Sequence, residues 1–225
     1  AFTVEVYKAI DILKKVKDFN SDILTIVGGH HATLIPEDFN SEFIDIIVIG
    51  EGEYVIKEIV ESFEQKNSFA NIKGIAIKHN SDLKFTEPRG NITELNDLPF
   101  PDRRTTIKYR QNYFRGMWKP IASIYSSRGC PFRCDFCAMW KLFKGKYRIR
   151  EAKRFVNELE TISEEYINFA DDNTLQNINY ANDIYKEIKS KNIKKKYKLN
   201  GRSDTIVKNP EIVEKWKSIG MELLL

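Results

Sequence analysis

The sequence predicts an α/β protein in two parts: a partial doubly wound, Rossmann-like domain, then a partial TIM-like β/α barrel, both truncated. Three observations carry this. β-branched runs at 23–27 and 44–49 each end in a glycine turn that leads towards a helix. A strand at 121–126 delivers a loop holding all three cysteines. Beyond that loop, helix and strand patterns alternate to residue 225.

The first part spans 1–70. Residues 3–18 set Val4, Tyr7, Ile10, Leu13 and Val16 at three-residue steps, which predicts a helix with one apolar face. Ile23-Leu24-Thr25-Ile26-Val27 predicts a strand buried on both sides, ending in Gly28-Gly29-His30-His31. Pro36 to Phe39 opens a short helix, with proline at its tolerated position. Ile44 to Ile49 is a second buried strand, running into Gly50-Glu51-Gly52-Glu53 and a helix from Tyr54 to about Gln65. Both turns lie at carboxyl ends of strands, where α/β sheets bind ligands, although neither matches G-x-G-x-x-G. The plain reading is tight strand-to-helix turns.

Residues 71–118 form a connection. Ile72, Ile75, Ile77 and Leu83 to Phe85 alternate as a hairpin around 80–82. Pro99 and Pro101 bracket Phe100 in an extended linker. Tyr109, Tyr113, Phe114 and Trp118 are expected to pack onto the barrel rather than stack on a substrate.

The barrel occupies 119–225. After the first strand come a helix at 151–165, a strand at 166–170 ending in Asp171-Asp172-Asn173, and a helix at 179–190. A strand at 197–202 ends in Arg202, then a helix at 210–219 leads to a fourth strand at 221–225. Adjacent acids at a strand end point to opposite faces, so one of Asp171 and Asp172 faces the barrel mouth while the other caps the next helix. Arg202 is either a surface arginine or a bidentate partner for a carboxylate.

Composition excludes several classes. Hydrophobic content is 42%, enough for a sizeable core. No apolar run is long enough to cross a membrane, and no signal peptide is visible. Three cysteines in one loop are not a disulfide framework, which fits a reducing cytoplasm. Residues 1–90 carry 10 Lys+Arg against 15 Asp+Glu, while 91–225 carry 26 against 17, making up the net +4. The lysines 191, 194, 195, 196 and 198 read as a solvated face rather than a nucleic-acid surface.

Cys130, Cys134 and Cys137 have C-x-x-x-C-x-x-C spacing. Thiolates suit iron–sulfur clusters and zinc. Structural zinc takes four ligands, usually as two separated pairs, and His30, His31 and His79 are all far upstream. Three thiolates on a four-iron cube leave one iron open for chemistry. The alternatives are a zinc knuckle or three free thiols.

This loop, with Arg128-Gly129-Cys130-Pro131 before it and Phe136 next to the last cysteine, resembles the radical S-adenosylmethionine (SAM) superfamily. The resemblance implies that Cys130, Cys134 and Cys137 hold a 4Fe-4S cluster whose open iron chelates SAM. It implies that Phe136 lies against the adenine, and that Asp171, Asp172 and Arg202 belong to the SAM site. The turns Gly28-Gly29 and Gly50-Glu51-Gly52 resemble the second half of the cobalamin (vitamin B12)-binding domain that precedes many radical SAM domains. There Gly28, Gly29, Gly50, Glu51 and Gly52 would contact the cofactor. The cobalt-ligating histidine lies in an earlier motif, so neither His30 nor His31 takes that role.

A doubly wound domain needs about five strands and two are legible, which with the non-methionine start reads as a fragment. The expected activity is reductive SAM cleavage and cobalamin-dependent methyl transfer to an unactivated carbon of a small molecule. The electron would come from a flavodoxin or ferredoxin. The alternatives are an oxidative cyclisation of the anaerobic porphyrin-cyclase type and, from another class, a non-catalytic zinc-binding nucleic-acid module.

Overall fold

The computed structural model describes all 225 residues, which form two units, Ala1–Ile92 and Thr93–Leu225.

In the first unit, β1 (Ile26–Val27), β2 (Ile46–Val48), β3 (Ile75–His79) and β4 (Asp82–Phe85) form one sheet in that order. β1 and β2 are parallel, whereas β3 and β4 run antiparallel beyond them. All three residues of β2 are buried, and its alternation divides them between two cores. Ile47 joins Val6, Val27 and Phe39. Ile46 and Val48 join Val55, Ile59 and Ile75. The helices α1 (Val6–Phe19), α2 (His30–Leu34) and α3 (Glu53–Glu64) complete the unit.

Two expectations are corrected here. Val4 and Tyr7 are 94% and 88% exposed. A strict three-residue step drifts around a helix of 3.6 residues per turn, and the inward face of α1 is Val6, Ala9, Ile10 and Leu13. The hairpin is not a separate connection either. β3 pairs with β2 and adds two strands to the sheet, so the first unit runs to Ile92 rather than residue 70.

The second unit contains β5 (Ile121–Ile124), β6 (Ser127–Arg128), β7 (Arg148–Ile149), β8 (Tyr166–Phe169), β9 (Lys196–Leu199) and β10 (Met221–Leu224). Its helices are α4 (Met139–Leu142), α5 (Ala152–Glu160), α6 (Ile178–Ser190), α7 (Ser203–Lys208) and α8 (Pro210–Lys217). β5, β8, β9 and β10 are parallel neighbours in chain order, with helices between them, as in the opening strands of a β/α barrel. Ala122, Ile124, Ile167, Phe169, Tyr197 and Leu199 face α5, α6 and α8 and form one core with Phe155, Ile184 and Trp216.

The alternate residues face the inside of the curved sheet, and Ser123, Asn168 and Lys198 stand in register there. Lys198 is therefore not part of a solvated lysine face: it is 4% exposed. The strand's alternation turns it inward, whereas Lys196 pairs with Glu222 at 3.1 Å and Lys191 bonds Asn157 at 2.8 Å.

The segment before β5 packs on the barrel. The guanidiniums of Arg103 and Arg150 both meet Glu158, at 3.0 and 2.7 Å, and Glu158 is 2% exposed. Arg110 pairs with Glu164 at 2.6 Å, and Arg154 donates to the Leu98 carbonyl at 2.7 Å. Trp118 stacks on Tyr166 at 5.0 Å between ring centroids, while Tyr109, Tyr113 and Phe114 remain exposed. No helix is long and apolar enough to cross a membrane.

Glu158 holds two guanidiniums away from water. Glu158→Ala should destabilise the protein by about 3–5 kcal/mol, measured by urea unfolding, because it strands buried charge. A loss under about 1 kcal/mol would show that water reaches these groups.

Candidate functional site

The cysteine loop is a closed excursion between two short strands. β6 and β7 pair antiparallel, Ser127 opposite Ile149 and Arg128 opposite Arg148, and so staple its base. Gly129 makes the turn that follows. Its φ is +86°, and a Cβ there would stand 2.0 Å from the Lys146 carbonyl oxygen, which only glycine avoids. Cys137 N–H donates to the Cys134 carbonyl at 3.0 Å, a tight turn that brings the second and third cysteines together.

All three thiols are partly exposed and unpaired by any disulfide. Burial pushes the Cys130 thiol up, with smaller contributions from Asp172 and from the other two cysteines, so the three sulfurs feel one another. No trio of His, Cys, Asp or Glu converges as ligands of a single ion. Three soft thiol donors on one loop suit the ligation of an iron–sulfur cluster.

The Asp-Asp strand end reaches back to this loop, which corrects the expected division of roles. Asp171 is 1% exposed. One of its oxygens accepts from Ser126 N–H at 2.6 Å and Ser127 N–H at 2.9 Å, and the other from the Ser126 hydroxyl at 2.6 Å. It is thus enclosed by the chain and does not face a ligand. Asp172 accepts from Gly129 N–H at 2.7 Å. Neither acid caps the next helix; Asn177 caps α6 by accepting from Tyr180 N–H. Burial raises the Asp171 carboxyl to about 6, against the lowering effect of the Ser126 and Ser127 hydrogen bonds.

Arg202 does come to the cysteines. Its guanidinium lies 3.7 Å from the centre of the Phe132 ring and its Nη1 is 3.6 Å from Cys134 Sγ. Asp204 grips the same group at 3.0 and 3.2 Å, and this hydrogen bond chiefly raises the Arg202 pKa. Phe136 is 93% exposed beside the cysteines. Sequence reasoning missed Ser126, Asp204 and Lys198. Asp204 had a signal, lying two residues beyond Arg202, but Ser126 is visible only once β5 and β8 are paired.

In the first unit the glycine turns sit after β1 and β2. Gly29 and Gly50 have φ of +99° and +90°, and nothing lies within 4 Å of where a Gly50 Cβ would be. Gly28 lies against Val48, and Gly52 opens α3. Glu51 accepts from Ile92 N–H at 2.7 Å. His31 is 5% exposed, with its ring nitrogens 3.0 Å from Thr3 Oγ1 and 2.7 Å from Asp38 Oδ2, so both are engaged. His30 is exposed and meets the Phe2 ring edge-on. The open space over Gly50 fits close approach of a flat macrocycle to backbone.

Residues 124–225 match the model of the radical SAM superfamily. That matched stretch, which makes up most of the second unit, is a radical SAM domain. The chain shares the fold of the radical SAM methyltransferase TsrM of Kitasatospora setae, solved with cobalamin and a [4Fe-4S] cluster, with a TM-score of 0.72. That match has 15% identity and covers 98% of this chain and 44% of that one. The chain is 30% identical over 226 residues to the hopanoid C-3 methylase of Methylococcus capsulatus, covering 99% of itself and 43% of the methylase. It is 28% identical over 233 residues to the anaerobic magnesium-protoporphyrin IX monomethyl ester cyclase of Cereibacter sphaeroides, covering 98% of itself and 37% of the cyclase. The chain thus spans less than half the length of these relatives.

Two predictions follow from the geometry of the loop. Gly129→Ala should lower iron and sulfide content after anaerobic reconstitution several-fold, since the added methyl collides with backbone and the φ is strained by about 1–3 kcal/mol; full iron loading would show that the turn is not needed. Asp171 gives a pH signature. Its folded value of about 6 lies above the ordinary 3.8, so its contribution is complete below pH 3.8 and is lost as pH rises through about 6. Relative to Asp171→Asn, the wild type should lose roughly 3 kcal/mol of unfolding free energy between pH 4 and 7. A difference that does not vary with pH would mean that the carboxyl titrates normally.

Proposed function

We propose that this chain is part of a cobalamin-dependent radical SAM methyltransferase that places a methyl group on an unactivated carbon of a small molecule. The observation that carries the reading is the three-cysteine loop, presented at the carboxyl end of the first strand of a parallel β/α sheet and tied there by both acids of the second. When bound, the cluster and cobalamin supply the electron that breaks a carbon–sulfur bond of SAM and the carrier for the methyl group.

The chain's own residues bind and position. Cys130, Cys134 and Cys137 hold the cluster, and Gly129 and Asp172 shape the start of their loop. Asp171 is a positioning residue, fixing Ser126 and Ser127 and so the direction in which the loop leaves the barrel. Arg202, already anchored by Asp204 and Phe132, offers positive charge beside Cys134 to the SAM carboxylate. Phe136, an apolar ring without protein cover, suits stacking on adenine. In the first unit Gly28, Gly29, Gly50 and Gly52 let backbone approach the corrin, while Glu51 anchors the chain at Ile92.

Oxidative cyclisation is the second reading, favoured by the likeness to the protoporphyrin cyclase at 28% identity. Methyl transfer is preferred because the hopanoid methylase matches at 30% and TsrM shares the fold. Three free thiols without a disulfide suit a reducing cytoplasm, with a flavodoxin or ferredoxin as the electron donor.

The test uses the full-length protein, reconstituted anaerobically with iron, sulfide and cobalamin. With strong reductant it should convert SAM to 5′-deoxyadenosine, and each of Cys130→Ala, Cys134→Ala and Cys137→Ala should reduce this to background. Label from deuterated-methyl SAM should appear in the product. No cleavage by the loaded wild type would remove the radical assignment; cleavage without label transfer would favour cyclisation.

A further inference from the structure

The inner face of the barrel sheet is layered. At its lower end Trp118 and Tyr166 stack, with the Lys196 ammonium over the Tyr166 ring at 5.5 Å. At its upper end Asn200 donates to the Asp171 carbonyl at 2.7 Å, next to the cysteine loop. Between these lies the in-register row Ser123, Asn168 and Lys198.

Lys198 is the anomaly in that row. It is 4% exposed, yet it makes no ion pair; its ammonium bonds the Asn200 side-chain oxygen. Burial, and then the positive charge of Arg115, push its pKa below the usual lysine value, against the opposing pull of Asp171. A buried ammonium without a counter-ion is costly and marks a place where an anion would be welcome. Beside it, Asn168 donates to Ser123 Oγ at 3.3 Å while its own side-chain oxygen is buried with no partner. That oxygen needs an N–H or O–H. No carboxylate forms an ion pair with Lys198, and no N–H or O–H donates to Asn168 Oδ1.

We infer that Lys198 and Asn168 form a substrate subsite inside the barrel for a carboxylate with a hydroxyl or amine next to it, as in a 2-hydroxy or 2-amino acid unit. This rests on the radical SAM reading and narrows its substrate to an acidic small molecule. The subsite lies deeper than the cysteines. Lys198 is two residues before Asn200 at the upper end of the sheet, and two residues of strand carry the chain about 6.6 Å. SAM held at the mouth by the cluster and Arg202 therefore leaves this row to the substrate.

The subsite can be tested without knowing the substrate. The probes are lactate, propionate, which lacks the hydroxyl, and SAM, each added to the reconstituted full-length protein. Acetylation of Lys198 by acetic anhydride is followed by peptide mass spectrometry. Lactate should protect Lys198 saturably, about tenfold at ten times its dissociation constant, and propionate should need higher concentrations. SAM alone should leave the rate unchanged. Lys198→Met should abolish the rise in melting temperature that lactate gives the wild type, and Lys198→Arg should retain it.

Protection by SAM but by neither carboxylate would overturn the proposal and make Lys198 part of the SAM site. Absence of any protection would overturn it too, and equal protection by lactate and propionate would strike Asn168 from the subsite. The 5′-deoxyadenosine assay on the same preparation reports separately on the radical reading. Cleavage without protection therefore sinks only the subsite, and protection without cleavage sinks only the radical chemistry.

Discussion

The site depends on one enclosed carboxylate. Asp171 closes the second barrel strand and takes three donors from the end of the first, the N–H groups of Ser126 and Ser127 and the Ser126 hydroxyl. Only an acceptor with no donor of its own satisfies all three; an amide in the same place would set an N–H against an N–H or a hydroxyl. The chain thus carries a buried carboxyl with a raised pKa to fix the direction of a loop. The Ser126 carbonyl is held as well, by Tyr180 O–H at 3.0 Å and Arg150 N–H at 2.9 Å, which leaves that residue no freedom. Such anchoring is needed because the loop between β6 and β7 contributes no residue to the barrel core and so cannot hold its own shape by burial.

The first unit solves a different problem, covering a short parallel pair on both faces. β2 does so with three residues, Ile47 on one face and Ile46 and Val48 on the other. The antiparallel hairpin of β3 and β4 then widens the sheet, and Ile75 and Ala76 each close one of the two cores. The glycine turns follow from the same arrangement. A strand buried on both sides must leave the sheet abruptly, and positive φ at Gly29 and Gly50 gives that exit.

The fold was largely legible because burial leaves a period. The strands at 44–49, 121–126, 166–170 and 197–202 announced themselves by β-branched and aromatic runs, and the cysteine loop by spacing alone. Long-range pairing leaves no such trace. That the hairpin would join β2 depends on contacts about thirty residues apart in sequence, such as Ile46 with Ile77. Asp171 and Asp172 were found, but their partners lie more than forty residues upstream, so their roles as loop anchors were not. Lys198 was misread for a related reason. In a run of lysines nothing local distinguishes the one whose strand position turns it inward.

The two faces of the barrel sheet divide labour in a way that bears on how polar groups inside it are tolerated. The outer face interlocks Phe155, Phe169, Tyr197 and Trp216 through tilted and edge-on ring contacts at 5.2 to 6.1 Å, with all four buried. Aromatic packing of that kind supplies stability that does not depend on the inner face. The inner face is then free to carry Ser123, Asn168, Lys198 and Asn200, which a two-sided hydrophobic core would exclude. A polar row costs stability where it stands and is sustained by the apolar side of the same strands. Substitutions on the two faces should accordingly separate: outward changes act on folding, and inward changes on what the barrel holds.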